Sequence, residues 1–193
     1  MTISHDIKAI FIHVQRTGGS SIINLLRKHI PMRYTILSQH GSFQNAEGDI
    51  IQKKPDYFVF GFVRNPWERM LSWYFLINKL NLLSLEKERK RFQKFLEFDF
   101  ASDFKDDENT FHYNQLDYFP DLETIVNPIK ICRFENYEEE VKEVFKRFGF
   151  IVDTIEISNE TVPKNYRDYY TEKSIELVRE KCSRDIEYFN YLF

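Results

Sequence analysis

One stretch near the amino end, Phe11–Ile23, most constrains the fold, because a strand, a glycine loop and a helix follow each other there directly. The run Ile7–Val14 is apolar apart from Lys8 and His13 and rich in β-branched and aromatic residues, which is typical of a strand. From Ile22 onward, apolar residues recur at helical spacing. Such a loop presents backbone N–H groups and the positive end of a helix to a phosphate, although an ordinary tight strand-to-helix turn gives the same pattern. The candidate phosphate-binding residues are Arg16, Thr17, Gly18, Gly19, Ser20 and Ser21.

A second strand-to-helix turn follows Tyr57–Val63, a continuous apolar run of the kind found in strands covered on both faces of a parallel sheet. Asn65 is placed to cap the next helix, and Glu68 is placed to complete a capping box with it. Arg64 therefore lies where a buried strand ends, and Ser72 lies about two turns into the helix.

Together the two turns predict a ligand with two separated anionic ends. One turn offers Arg16 with Ser20 and Ser21, and the other offers Arg64 with Ser72. Guanidinium groups and hydroxyls are strong donors to phosphate oxygens. A mononucleotide with phosphates on its 5′ and 3′ sides fits this pair better than a nucleoside triphosphate, whose charge lies in one tail.

Strands and helices alternate along the remaining chain, and the carboxyl-terminal half is mostly helical. Further strands are expected at Arg33–Leu37, Ile129–Cys132 and Phe150–Ile157. Helices are expected from about Ser20 to before Pro31, over Leu80–Phe100, from Asn136 with Glu139 as its capping-box partner to Gly149, and from near Thr171 onward.

Composition is that of a globular protein, with 42% hydrophobic and 30% charged residues. The net charge of −3 gives no electrostatic footprint for a nucleic acid. Cys132 and Cys182 indicate reduced thiols rather than a disulfide scaffold. The sequence has no leader pattern, no membrane-spanning apolar stretch and no cluster with metal-ligand spacing. We expect one cytoplasmic domain over residues 1–193, without a metal.

The loop Phe11–Ser21 resembles the 5′-phosphosulfate loop of sulfotransferases that use 3′-phosphoadenosine 5′-phosphosulfate (PAPS). It is most similar to the carbohydrate type (heparan or chondroitin, family 2), whose loop reads roughly Phe-x-His-x-x-Lys-Thr-x-Gly followed by two Ser or Thr. The segment Val63–Tyr74 resembles the 3′-phosphate motif of that family, with arginine and serine at the expected separation. Arg133–Asn136, Tyr169–Tyr170 and Asp185–Phe189 are similar to its carboxyl-terminal half, so the resemblance covers nearly the whole chain.

The resemblance implies a P-loop-like α/β fold, with a central parallel sheet flanked by helices, and transfer of a sulfuryl group from PAPS to a hydroxyl. Adenosine 3′,5′-bisphosphate is then the product, and a glycan is the implied acceptor. By position, residues 17–21 cradle the 5′-phosphate, and Arg64 and Ser72 hold the 3′-phosphate. Arg16 stands where the family carries a lysine beside the bridging oxygen of the phosphosulfate. Because arginine is effectively always charged, it can stabilise the leaving phosphate but cannot give it a proton.

The acceptor hydroxyl needs a base, and histidine is the usual choice because its pKa lies near working pH. His40 follows the second predicted strand, at the edge where open α/β sheets bind ligands. Related sulfotransferases often carry a catalytic histidine between the two nucleotide motifs. We expect His40 to accept the proton during in-line displacement at sulfur, the alternative being a solvent-exposed loop histidine. His13, for which a structural role is expected, and His112 are the other candidates.

Two other functions fit parts of the pattern. A P-loop kinase needs Lys-Ser/Thr after the glycines and another glycine upstream, and both are absent. Arg64 also stands where a magnesium-binding carboxylate would be wanted. A non-catalytic nucleotide-binding relative is compatible with Arg16. Nucleotide preference distinguishes the kinase, and turnover distinguishes the inert relative. For the sulfotransferase, Tyr113 and Gln115 are candidate lining residues of the acceptor cleft.

Overall fold

The computed structural model describes residues 1–30, 34–36, 51, 53–78, 84–98, 111–155 and 165–193. In this part of the chain a single mixed sheet of five strands lies at the centre. The strands are β1 Thr2–Ser4, β2 Ala9–Ile12, β3 Tyr34–Ile36, β4 Phe58–Val63 and β5 Ile129–Arg133. Their order across the sheet is β3-β1-β2-β4-β5. The strands β2, β4 and β5 run parallel, whereas β1 is antiparallel to both β2 and β3.

The parallel register brings the ends of β2, β4 and β5 to one edge of the sheet. Ile12 lies opposite Gly61, and Val63 lies opposite Arg133. The chain therefore leaves all three strands at this carboxyl edge, where open α/β sheets bind their ligands. Both predicted turns start there.

Helices cover both faces of the sheet. The helices are α1 Gly19–His29, α2 Pro66–Asn78, α3 Leu85–Glu97, α4 Tyr137–Arg147, α5 Glu172–Lys181 and α6 Ser183–Phe189. Phe60 and Phe62 belong to the apolar cluster of α1 and α4, whereas Val59 and Val63 belong to the cluster of α2, α3, α5 and α6. Alternate side chains of β4 thus enter different clusters, which explains its unbroken apolar sequence. The α/β fold class expected from the sequence is confirmed.

The amino-terminal strand differs from its prediction. The strand expected over Ile7–Val14 is shorter than predicted, because residues 5–8 form a turn in which Lys8 has a φ of +47°, and β2 begins only at Ala9 and ends at Ile12. The preceding β1 pairs with β2 as a hairpin. Because β1 then pairs with β3, the sheet is mixed rather than purely parallel.

The predicted strand Phe150–Ile157 is wrong, since residues 150–155 carry no strand and residues 156 and 157 lie outside the described part. Val152 is nevertheless buried in the cluster of α1 and α4, so its segment uses its apolar side chains for packing and not for sheet pairing. The helix expected over Leu80–Phe100 begins only after Ser84 and ends at Glu97. The last predicted helix is broken at Cys182 into α5 and α6.

Helix ends agree only in part with the predicted caps. Thr171 caps α5 in a capping box with Ser174, as its position before the helix indicated. Asn136 makes no side-chain cap bond to α4, so the predicted box with Glu139 is wrong. Instead a short 3-10 turn, Phe134–Asn136, leads directly from β5 into α4.

Candidate active site

The loop between β2 and α1 is shaped by two glycines in close contact with aromatic rings. Gly18 has a φ of +80°, and a methyl group there would lie 2.7 Å from the ring of Tyr137. The Tyr137 hydroxyl donates to the Gly18 carbonyl oxygen at 2.6 Å. A methyl group on Gly19 would lie 2.0 Å from Cδ2 of His13. Both positions therefore require glycine, the first for its backbone angle and both for space.

The loop backbone is held by bonds within the loop and across to α2. The Thr17 hydroxyl donates to the Val14 carbonyl oxygen at 2.9 Å, so that its proton is used to close the turn. Arg16 has a φ of +68°, an uncommon conformation for a residue with a side chain. The Thr17 hydrogen bond and the left-handed backbone of Arg16 together form the sharp turn between β2 and α1.

The first turn of α1 faces the same edge. Ser20 is half-buried and Ser21 is buried. The Ser21 N–H donates to the Gly18 carbonyl oxygen at 3.1 Å. The earliest N–H groups of a helix have no carbonyl partner within it, and its positive end attracts anions. This end of α1 therefore has the geometry of a phosphate site.

The turn after β4 places Arg64 at the same edge. Asn65 Oδ1 accepts from the N–H groups of Trp67 at 3.0 Å and Glu68 at 3.4 Å, which confirms the predicted cap of α2. The predicted capping box is wrong, because Glu135 Oε1 accepts from the Asn65 N–H at 2.5 Å. Glu68 instead forms an ion pair with Arg64 Nη2 at 2.9 Å.

The side chains of the two turns meet. Arg16 Nε donates to Ser72 Oγ at 2.9 Å, and Arg64 Nη1 donates to the Arg16 carbonyl oxygen at 3.3 Å. The Arg64 guanidinium lies over the ring of Phe134, with its central carbon 4.3 Å from the centroid. Burial, and after it the positive charge of Arg64, lower the pKa of Arg16 to about 10. A guanidinium group whose charge is disfavoured by burial and by a neighbouring positive charge is suited to bind an anion.

Arg69 holds the surroundings of this pair together, and the sequence analysis gave it no role. Its side chain is buried, with 1% of the residue exposed. Its Nε donates to the carbonyl oxygen of Gln15 at 3.0 Å, and its two terminal nitrogens donate to those of Tyr113 at 3.0 Å and His112 at 2.9 Å. One signal was available, because Arg69 precedes Ser72 by three residues and so shares its face of α2.

Residues 1–192 match the model of the sulfotransferase family. The chain belongs to the sulfotransferase family. A crystal structure of a sulfotransferase from Alicyclobacillus acidocaldarius aligns over 96% of this chain and 97% of that one, at 14% identity and a TM-score of 0.40. Among curated proteins, none matches. The match over residues 1–192 confirms the sulfotransferase family expected from the two motifs.

In this sulfotransferase, the prediction that Gln115 lines an acceptor cleft is wrong. Gln115 is fully buried, and its side-chain amide bonds to the backbone of Arg64. Tyr113 is half-buried, and its hydroxyl donates to the Phe98 carbonyl oxygen at 3.3 Å.

The predicted base, His40, lies outside the described residues. His13 is 3% exposed and stacks on Phe11 with ring centroids 5.6 Å apart, in agreement with a structural role. His112 is half-buried, and burial is the main cause that lowers its pKa. In the described ranges, no helix is long and apolar enough to cross a bilayer. Within the same ranges, no group of three or more His, Cys, Asp or Glu side chains could hold a metal ion.

Proposed function

We propose that this protein transfers a sulfuryl group from PAPS to a hydroxyl of a carbohydrate acceptor. The observation that carries the proposal is the convergence of Arg16, Arg64 and Ser72 at the carboxyl edge of two neighbouring parallel strands. The lowered pKa of Arg16 beside Arg64 supports an anionic ligand there. The sulfotransferase family to which the chain belongs makes PAPS the natural donor of the transferred group.

Each end of the nucleotide has its own set of donors in this proposal. The loop and first turn of α1, residues 17–21, cradle the 5′-phosphate with backbone N–H groups and the hydroxyls of Ser20 and Ser21. Arg64 and Ser72 hold the 3′-phosphate by a forked charge-assisted contact and a hydroxyl. Arg16 connects the two sets, because it directly precedes Thr17 in the loop and its Nε donates to Ser72 Oγ.

The chemistry is in-line displacement at sulfur. PAPS supplies the sulfuryl group and is converted to adenosine 3′,5′-bisphosphate. His40 accepts the acceptor's proton while the acceptor oxygen forms a bond to sulfur and the bond from sulfur to the phosphate oxygen breaks. Arg16 and the N–H groups of the loop stabilise the charge that grows on the departing phosphate.

The carbohydrate acceptor rests on the resemblance of the loop Phe11–Ser21 to the carbohydrate type of sulfotransferase. We further propose that residues 1–193 form one sulfotransferase domain, which agrees with the range of the family match. A cytoplasmic location stays a prediction from the sequence.

The test compares two nucleotides by titration calorimetry. We expect the native protein to bind adenosine 3′,5′-bisphosphate more tightly than adenosine 5′-monophosphate, with each charge-assisted contact contributing on the order of 1.5–3 kcal/mol. Arg64→Gln should bring the two affinities together. Arg147→Gln is the matched control, because Arg147 also lies 4.3 Å over a phenylalanine ring, that of Phe58, at the opposite end of β4.

Other outcomes select the other functions. Equal affinity of the native protein for the two nucleotides would contradict the roles of Arg64 and Ser72. A magnesium-dependent preference for adenosine triphosphate would support a P-loop kinase. Selective binding of the bisphosphate without transfer from PAPS to any member of a glycan panel would support a non-catalytic nucleotide-binding relative.

A further inference from the structure

A buried pair of polar side chains holds the backbone of Arg64, and the chemistry above makes no use of it. Gln115 begins a short 3-10 turn, Gln115–Tyr118, and Asp185 lies in α6. Neither residue is exposed at all. The two are called here the Gln115–Asp185 clip. Buried polar groups that form several hydrogen bonds specify a conformation more strictly than apolar packing does.

The Gln115 side-chain amide bonds both backbone polar groups of Arg64. The Arg64 N–H donates to Gln115 Oε1 at 2.8 Å, and Gln115 Nε2 donates to the Arg64 carbonyl oxygen at 2.8 Å. Since β4 ends at Val63, Arg64 is the first residue beyond the strand. The amide therefore continues the bonding of the sheet by one residue, and it fixes the backbone from which the guanidinium extends.

Asp185 sets the direction in which this amide points. Asp185 Oδ2 accepts from Gln115 Nε2 at 3.0 Å and from the Gln115 N–H at 2.6 Å, while Oδ1 accepts from the Leu116 N–H at 3.0 Å. Since the backbone N–H groups of Gln115 and Leu116 donate to both oxygens, Asp185 acts as an acceptor here, and the NH₂ group of the amide must face it. The reversed amide would set oxygen against carboxylate and NH₂ against the Arg64 N–H. The clip thus has one orientation.

The fixed backbone of Arg64 restricts the position of its guanidinium group. From this backbone the side chain reaches the Arg16 carbonyl oxygen at 3.3 Å, Glu68 Oε1 at 2.9 Å and the face of Phe134. An arginine loses much side-chain entropy when it is ordered on binding, and prior alignment reduces that loss. We infer that Gln115 and Asp185 are positioning residues for 3′-phosphate recognition, acting through the backbone of Arg64. This inference rests on the proposed function.

The test measures the ratio of affinities for adenosine 3′,5′-bisphosphate and adenosine 5′-monophosphate in clip variants. Gln115→Met keeps the side-chain length and removes the amide bonds. Its matched control is Asn127→Leu, because Asn127 Nδ2 donates to the carbonyl oxygens of Lys54 at 2.6 Å and Tyr57 at 3.0 Å before the opposite end of β4. We expect the ratio to fall about tenfold in Gln115→Met and to stay at the native value in Asn127→Leu.

Asp185→Asn is a milder variant of the same clip. Asparagine keeps an acceptor for Gln115 Nε2 and loses the one for the Leu116 N–H, so the ratio should fall by less than in Gln115→Met. Should Gln115→Met fail to fold, Asp185→Asn gives the result. Should both variants fail to fold, amide hydrogen exchange of the native protein is the measurement that tests the inference. We expect adenosine 3′,5′-bisphosphate to slow exchange at the Arg64 N–H more than adenosine 5′-monophosphate does.

The measurements distinguish failure of the proposed function from failure of this inference alone. Equal affinity of the native protein for both nucleotides would overturn the proposed function and this inference with it. A native preference that persists unchanged in a folded clip variant, or equal slowing of Arg64 exchange by both nucleotides, would overturn the inference alone.

Discussion

The contact between Gly19 and His13 gives a direct test of the phosphate loop. A methyl group built on Gly19 lies 2.0 Å from His13 Cδ2 and 2.2 Å from Nε2. The imidazole has little room to move, because His13 is 3% exposed and stacks on Phe11. We expect Gly19→Ala to lower the free energy of unfolding by roughly 1–3 kcal/mol, the usual cost of an overpacked site.

Removal of the imidazole should reverse the sign of this effect. In a His13→Ala background the three atoms nearest to this methyl group are gone, and the helical preference of alanine over glycine should make Gly19→Ala neutral or stabilising by up to about 1 kcal/mol. Gly149→Ala is the matched control. Among the described residues no atom lies within 4 Å of a methyl group there, yet its φ is +83°. Backbone strain should therefore cost about 1–2 kcal/mol in both backgrounds.

Urea unfolding followed by circular dichroism measures these differences, and each 1 kcal/mol also shifts the melting temperature by about 2–4 °C in a chain of this size. The comparison needs Gly19→Ala, Gly149→Ala and His13→Ala alone, and each glycine variant combined with His13→Ala. An equal cost of Gly19→Ala with and without the imidazole would refute the steric argument and the position given to His13.

Four further outcomes are expected. Arg16→Lys should keep or raise kcat/KM for sulfuryl transfer, whereas Arg16→Ala should lower it by about 10²–10³, because a donor to the departing charge is lost. Arg16 is charged at neutral pH, as its residue type implies, but burial and Arg64 lower its pKa to about 10, so calorimetry over a pH series should show affinity for adenosine 3′,5′-bisphosphate falling as pH rises through about 10. Arg69→Met should lower the free energy of unfolding in urea by roughly 3 kcal/mol or more, since three carbonyl oxygens lose their donor. His40→Ala should lower turnover by about 10²–10⁴ while calorimetry shows unchanged nucleotide affinity. Turnover of the native protein should decrease as the pH drops below the pKa of histidine, because imidazolium cannot accept a proton.

Local patterns predicted the elements that carry the site. The apolar run ending at Val63 became β4, since a strand covered on both faces has no reason to alternate with polar residues. The glycines after β2 and the capping residue Asn65 also predicted a turn and a helix start correctly, because both features depend mainly on nearby residues. The hairpin strand Thr2–Ser4 was missed, since three residues are too few to show a period.

The relation between the two turns could be predicted only in outline. The family resemblance implied that Arg16 contacts the 5′ end of the nucleotide and Ser72 the 3′ end. Their contact of 2.9 Å depends on β2 lying directly beside β4, and nothing within either segment encodes which strand is its neighbour. A non-local pairing of this kind is a property of the whole packed sheet.

The residues that orient the arginines carry no sequence signal for that role, beyond the position of Arg69 on the same face of α2 as Ser72. Arg69, Gln115 and Asp185 are polar types that are mostly exposed in proteins, and a sequence gives each of them a surface position by default. Their burial is stable here because backbone N–H and carbonyl groups distant in the chain satisfy them. Those partners exist only after β4, α2 and α6 have assembled. A motif can therefore identify Arg16 and Arg64 as the charges of the site, while the direction of those charges is set by residues that only the folded structure reveals.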